Sequence, residues 1–397
     1  MEKPNLEEEI SGRAKKLQIL LEKDGIDGAL LLQKISVYYF SGTDQDAHLW
    51  IPSSSPAPLL MVRKSLERAL TDGVIRQAVS LSSFKRLPGL IRDHMGGMPR
   101  RIGLELDVLP VNLFRIYEKV FAGCELVDVS PHIRKVRMVK SSYEISFIRK
   151  AADLGDRLYH HFPRFLAASE TEMELAIKAE AFYRSEGHPG LVRTRAFNME
   201  TIYGHIMAGA CSTMPSATPG PTGGLGAGPF ASQGAAWVKI ESHVPVLVDY
   251  ASNVDGYLSD QARIFSKGKL SEKLYRAHQV MIKVQDAVAE NGRPGTVAED
   301  LYKMALRIVD RAGLSEGFMG HPQPVPFVGH GLGLELDEWP IIGRHSHHIL
   351  EEGMIVALEP KCVFPGEGVV GVENTFQVKA RGMEKLNRFP EDIVVIS

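Results

Sequence analysis

The sequence predicts an α+β protein of two domains, residues 1–137 and residues 138–397. Three observations carry this. The chain has 397 residues, long for a single domain. Short strands and helices alternate through its first third, as in a compact α/β unit. Beyond residue 138 the pattern changes to helix pairs, each followed by a β-hairpin that carries paired carboxylates. A hydrophobic share of 44% with 24% charged residues is that of an ordinary soluble protein. The net charge of −2 implies no general attraction to nucleic acid or anionic membrane. Three widely spaced cysteines, Cys124, Cys211 and Cys362, argue against a disulfide framework and for a cytoplasmic protein. The start, M-E-K-P-N-L-E-E-E-I, is acidic and lacks the apolar core of a secretory signal. No apolar run approaches the roughly 18 residues that span a membrane.

In the first domain, residues 5–23 have helical spacing, with Ile10, Leu17, Ile19, Leu20 and Leu21 apolar. Residues 28–33, 48–51, 58–62, 101–106 and 125–129 read as strands, and residues 111–121 as a helix. No convergent set of catalytic groups lies here. His48 and Trp50 are expected to pack inside their own domain, the alternative being that they cover a partner's site.

In the second domain, Ser141 with Glu144 and Thr171 with Glu174 form capping boxes. They open helices to about residues 166 and 185. A hairpin follows, V-P-V-L-V-D-Y-A-S-N-V-D-G-Y-L-S-D-Q-A-R-I-F, turning at Asp255-Gly256. Asp249 and Asp260 lie on opposite arms, an odd number of residues apart. In an unbulged hairpin with an even-length loop, both then project from one face. Like charges so placed call for a positive group between them, most simply a divalent cation. The scheme repeats: residues 271–290 read as a helix, Thr296 and Glu299 as a third capping box, and M-I-V-A-L-E…P-G-E…G-V-V-G-V-E as a second hairpin. A loop centred on Gly366 sets Glu359 opposite Glu373. His330 lies between the hairpins in a glycine-rich F-V-G-H-G-L-G-L-E. Four carboxylates balance two divalent ions in charge, which permits their burial.

Residues 204–234 are rich in Gly, Pro, Ser and Thr and read as a long loop or pair of loops, either contacting substrate or mobile. They lack G-K-S/T, so a phosphate loop is not indicated. His205 is the titratable residue of interest. His345, His347 and His348 read as a solvated turn.

The V-D…G-Y…D-x-x-R hairpin, G-H-G-x-G-L-E, L-E-P and final V-E-N-T resemble the pita-bread metallohydrolases, the family of aminopeptidase P, prolidase, methionine aminopeptidase and creatinase. The resemblance covers residue 138 to the end. Residues 1–137 are more weakly similar to the creatinase-like amino-terminal domain. It implies a pita-bread catalytic domain with Asp249, Asp260, His330, Glu359 and Glu373 as ligands of two divalent ions, of Mn, Co, Zn or Fe. Glu359 would shuttle a proton to the leaving nitrogen, while Arg263 and Glu338 would orient ligands. In that family the amino-terminal domain commonly covers a partner's site, which implies a homodimer. The implied reaction is Xaa-Pro aminopeptidase or prolidase-like hydrolysis of a small peptide. The alternatives are a C–N hydrolase or lyase reaction on a non-peptide molecule, or a binding module.

Three departures concern substrate. Asp337 stands where the peptidases hold a histidine seven residues past the metal histidine. Ser232 lies near the expected place of a second substrate histidine. Val372 replaces the arginine of aminopeptidase P. They shift the pocket toward neutral or cationic ligands. Asp337 would attract a cationic group, or instead cap the turn that follows it.

Overall fold

The computed structural model describes residues 5–396, and the chain divides into two units, Met1–Arg137 and Met138–Ser397. The first unit is built on a six-stranded sheet. Its strands run in the order Ala78–Ser80, Leu59–Val62, Ala47–Pro52, Gly28–Leu31, Arg101–Leu104 and Glu125–Asp128. Helix Leu6–Lys23 begins where the Asn5 side chain accepts a hydrogen bond from the Glu7 amide, and it buries Ile10, Leu17 and Leu21. Helices Leu66–Asp72, Leu87–Met95 and Ser130–Met138 were not foreseen. Their apolar positions are too few for periodicity to signal them.

Trp50 and His48 are both buried within this unit. The Tyr117 hydroxyl lies 2.6 Å from His48 Nε2, and Phe84 packs edge-on to the imidazole. These contacts bear out packing inside the domain.

The second unit folds as two halves. Helices Ser142–Ala167 and Glu172–Ser185 both start at the expected capping boxes. Strands Val246–Val254 and Tyr257–Lys267 form the first hairpin, and Gly204–Ala208 and Val394–Ile396 extend it to four strands. The strand Gly204–Ala208 corrects the expectation that residues 204–234 form only a long loop or pair of loops. It forms because an apolar I-M-A run can pair with Val246–Tyr250.

Helices Glu272–Asn291 and Ala298–Arg311 open the second half. Its five-stranded sheet runs Glu338–Gly343, Phe327–Gly331, Ile355–Leu358, Asn374–Lys379 and Gly382–Lys385. The third capping box does not form. Val297 takes the N-cap position without a side-chain bond, and the amides of Ala298 and Glu299 donate to the carbonyls of His348 and Ser346. The turn of three histidines thus satisfies the orphan donors of that helix, and the Glu299 carboxylate instead accepts from the His345 amide and Lys303.

Alternation along the first hairpin decides what each face meets. Val246, Val248 and Tyr250 enter an aromatic core with Leu158, Tyr159 and Phe162 of the first helix pair. Leu247, Ala262 and Ile264 face the other way, onto Leu274, Met281 and Val284 of the second pair. Asp249 and Asp260 continue that second face to where the two sheets meet.

One pH effect follows for the first unit. Burial, reinforced by Arg63 and opposed by Asp46, pushes the His48 pKa down from 6.5 to about 4. A depressed folded pKa means the unfolded chain binds the extra proton first. The stability that neutral His48 contributes is therefore present above pH 6.5 and lost as the pH falls toward 4, a loss on the order of 3 kcal/mol. Histidine-resolved NMR on the full chain should give His48 a midpoint near 4. A midpoint near 6.5 would contradict this account.

Candidate metal centre

The first hairpin turns at Asp255 and Gly256, both at positive φ (52° and 89°), as a two-residue type I′ turn requires. Register then pairs Asp249 with Ala262 and Ala251 with Asp260. The two aspartates are diagonal neighbours on one face, as their spacing required. In the second hairpin Leu358 pairs with Asn374 and Lys361 with Gly371. Both ladders share one register about Gly366, which keeps Glu359 and Glu373 opposite each other. The hairpins are joined where Ala262 and Glu373 exchange backbone hydrogen bonds of 3.2 Å. The residue beside Asp249 is thus paired directly with the last carboxylate of the set.

His330 enters from strand Phe327–Gly331, between two glycines that close backbone contacts demand. A Cβ on Gly329 would lie 2.4 Å from the Ala357 carbonyl oxygen, and one on Gly331 2.1 Å from that of Trp339. The imidazole Nδ1 lies 3.2 Å from the Gly331 carbonyl. A carbonyl only accepts, so Nδ1 carries the proton and Nε2 faces the carboxylates, 3.5 Å from Glu359 and 4.0 Å from Glu373. This is the orientation of a ligating histidine. Asp260, His330 and Glu373 can each bring one ligand atom within 4.8 Å of the others, enough to hold one ion.

The remaining carboxylate oxygens meet a residue that the motifs did not mark. The buried Lys361 Nζ lies 2.7 Å from Glu373, 2.9 Å from Glu359 and 3.0 Å from Asp249. Burial alone would depress this ammonium, but Asp249, Glu359 and Glu373 outweigh it and hold its pKa well above the ordinary value. Burial also pushes Asp260 up to about 7, with Asp249 adding repulsion, and raises Glu373. One ammonium does not offset four clustered acids, three of them buried, so the centre favours further positive charge. The donor set fits an ion on the Asp260, His330 and Glu373 side. On the Lys361 side a cation is already in place. A signal for it existed: two residues past Glu359, a side chain returns to the same strand face.

A cavity of about 250 Å³ opens on all five expected ligands. His205 borders it, paired in register with Asp249. Gln233 Nε2 lies 2.7 Å from His205 Nε2, so that ring nitrogen accepts. Burial, aided by Lys361 and opposed by Asp249 and Glu359, lowers the His205 pKa. Gln233 was not foreseen. Ser232, its neighbour, does not line this cavity and borders a separate surface hollow with Leu225 and Trp237. His205, which the sequence also singled out, is brought to the cavity by its strand pairing with Asp249.

Asp337 borders the cavity, but both its oxygens are engaged. The amides of Arg195 and Ala196 donate to them at 2.7 and 2.8 Å. It neither offers a free anion nor caps its own turn. Arg263 is fully buried, its five N–H groups directed to the oxygens of Pro390, Ala262, Glu373, Asn374 and Phe389. It positions the Glu373 backbone and cannot touch substrate. Glu338 accepts from the Leu334 and Glu335 amides and pairs with buried Lys140 at 3.1 Å, so it also braces the fold and not the cavity. Val372 is buried and does not line the cavity.

Residues 146–380 match the model of metallopeptidase family M24, and residues 13–139 that of the creatinase/prolidase N-terminal domain. The chain belongs to metallopeptidase family M24 and is a metallopeptidase-like hydrolase. It is 26% identical over 382 residues to the Xaa-Pro dipeptidase of Pyrococcus horikoshii, covering 96% of this chain and 98% of that one. An uncharacterised peptidase of Bacillus subtilis is 26% identical over 397 residues, 97% of this chain and 100% of its own. The structure of a Xaa-Pro dipeptidase from Bacillus anthracis superposes with a TM-score of 0.82 at 22% identity, covering 98% and 100% of the two chains.

The Asp337 contacts yield a test. Asp337→Ala removes two charge-assisted bonds, together roughly 2–3 kcal/mol of local stability. The Arg195 and Ala196 amides should then exchange at least about tenfold faster, and KM should rise more than kcat falls. Unchanged protection of both amides would rule out this anchoring role.

Proposed function

We propose that this member of family M24 hydrolyses a short peptide or peptide-like amide whose recognised portion is neutral or cationic, in the manner of an Xaa-Pro aminopeptidase more than of a dipeptidase. The observation that carries the reading is the lining of the cavity. It includes Asp249, Asp260, Glu359, Glu373 and Asp337, and no Lys or Arg is among its lining residues. Apart from an ion held by the centre itself, a free peptide carboxylate would find no cationic side chain on the cavity wall. Its volume of about 250 Å³ suits a small ligand. Ile202, Tyr203, Phe327, Leu336 and Ile341 give it apolar walls.

Asp260, His330 and Glu373 would hold a divalent ion. Such an ion supplies Lewis-acid polarisation of a carbonyl and an activated water. The protein's own groups do the rest. Glu359 borders the cavity and would carry a proton between water and the departing nitrogen. Neutral His205, with Nε2 accepting from Gln233, can donate from Nδ1 to a substrate oxygen. Asp337 holds the wall near Ala196 in position. The three free cysteines support a cytoplasmic setting. Exposed Phe197, Phe230 and Trp237 provide apolar surface of the kind a homodimer covers.

The reading is tested with paired substrates on metal-loaded enzyme: Xaa-Pro dipeptides as free acids, the same peptides amidated, and longer Xaa-Pro peptides. Amidated and longer substrates should exceed the free acids in kcat/KM by at least about tenfold, roughly 1.4 kcal/mol. Equal or better turnover of free dipeptides would overturn the preference. A panel of non-peptide amides on the same enzyme distinguishes general C–N hydrolysis. Glu359→Gln should lower kcat by more than about a hundredfold, roughly 2.7 kcal/mol, with circular dichroism unchanged. Activity within tenfold of wild type would remove Glu359 from proton transfer.

A further inference from the structure

We infer that the Lys361 ammonium takes the place of one of the two divalent ions, so that the centre is built for a single ion per chain. The oxygens of the cluster are already divided between two positions. On one side Glu359 Oε2, Glu373 Oε2 and Asp249 Oδ2 surround Lys361 Nζ at 2.9, 2.7 and 3.0 Å. The ammonium donates to Glu359 and Glu373 and forms an ion pair with Asp249, so all three carboxylates share its charge. On the other side stand Asp260, His330 and Glu373, with Oε1 of Glu359 and Glu373 turned to the imidazole. Two-ion sites in hydrolases set their ions about 3.5–4 Å apart. Here the second position is filled by a covalently attached cation.

Lys361 is not a surface side chain folded in by chance. It is 1% exposed and its backbone is paired with Gly371 in the hairpin. A Cβ on Gly371 would lie 2.9 Å from the Lys361 Cγ and 2.7 Å from its Cα. The glycine leaves the room that the lysine stem occupies. Metal–oxygen bonds are about 2.0–2.2 Å, shorter than every Lys361 contact, so an ion there would need the same oxygens drawn inward around it. It would also stand against a positive charge that is itself buried, where like charges repel more strongly than in bulk water.

Lys361 is absent from the cavity lining, while Asp260, His330 and Glu373 border it. The fixed cation therefore sits behind the carboxylates and the ion-competent side faces substrate. The inference rests on the centre's geometry and not on the substrate preference proposed above, and its test needs no substrate.

The full chain, stripped with chelator and dialysed, would be titrated with Mn²⁺ and separately with Zn²⁺ by calorimetry, with elemental analysis after desalting. One ion per chain is expected. Two ions, or none, would overturn the inference. Lys361→Gly should raise the count to two, and a count still at one in folded variant also overturns it. Because loss of the ammonium leaves four acids uncompensated, the same titration on the Asp260→Asn, His330→Ala double variant provides a second arm that keeps Lys361. Binding there should weaken by more than about a hundredfold, and wild-type affinity would place the ion on the lysine side and refute the assignment.

Discussion

Four carboxylates converge where two sheets meet, and much of the catalytic unit is arranged around keeping that charge inside. Two acids come from each hairpin, and the backbone exchange between Ala262 and Glu373 fixes the hairpins to one another. Asp260 is further set by its neighbours: Thr375 Oγ1 accepts from its amide at 2.8 Å and donates to its carbonyl at 3.0 Å. The Gln261 amide donates to its carboxylate. Such a seam is costly unless positive charge or donors lie within it. Three carboxylates have Lys361. Asp260 has no ammonium, and burial raises its pKa to about 7. The imbalance falls on the side that borders the cavity.

The two buried cations nearest this seam do different work. Arg263 spends its guanidinium on neutral oxygens, four of them backbone carbonyls. A planar fork with five donors suits a junction where several strands leave carbonyls unpaired. It ties the segment at Phe389 and Pro390 to Glu373 and so keeps the second hairpin in register with the first. Lys361 is a compact point charge on a flexible stem, and it lies among carboxylates. Exchanging the two residue types would strand acceptors at one place and overfill the other.

The convergence of Asp249, Asp260, His330, Glu359 and Glu373 was legible because these residues obey local rules. Period-two alternation, a D-G turn and a glycine-centred loop fix which side chains share a face, and both registers agree with those rules. The helix starts at Ser141 and Thr171 were legible for the same reason. Failures came where distant backbone replaced a local partner. Thr296 and Glu299 have the letters of a capping box, yet carbonyls from residues 346 and 348 reach the helix first. Of the two residues singled out in the glycine-rich run, His205 reaches the cavity through strand pairing, while Ser232 lies on a separate hollow. Asp337 showed its charge in the sequence but not its partners, two amides 141 and 142 residues away. Lys361 was one alternation step from Glu359, and only the assembled cluster shows what it neutralises.

An ammonium and a divalent ion are not equivalent in such a centre, even where they offset the same acids. An ammonium donates protons and has no empty orbital, so it can hold carboxylates apart but cannot accept a lone pair from water or a carbonyl. Whatever polarisation the centre provides must therefore arise on the side of Asp260, His330 and Glu373. That side borders the cavity, and His205 stands across from it on the strand paired with Asp249. Lys361 then serves the reaction indirectly. By fixing Glu359 Oε2 and Glu373 Oε2 it leaves the other oxygen of each turned toward His330. Those oxygens are thus already held in one orientation before an ion binds, which reduces the rearrangement that binding must bring about. The lysine gives up one Lewis acid and in return keeps the remaining ligand set in place.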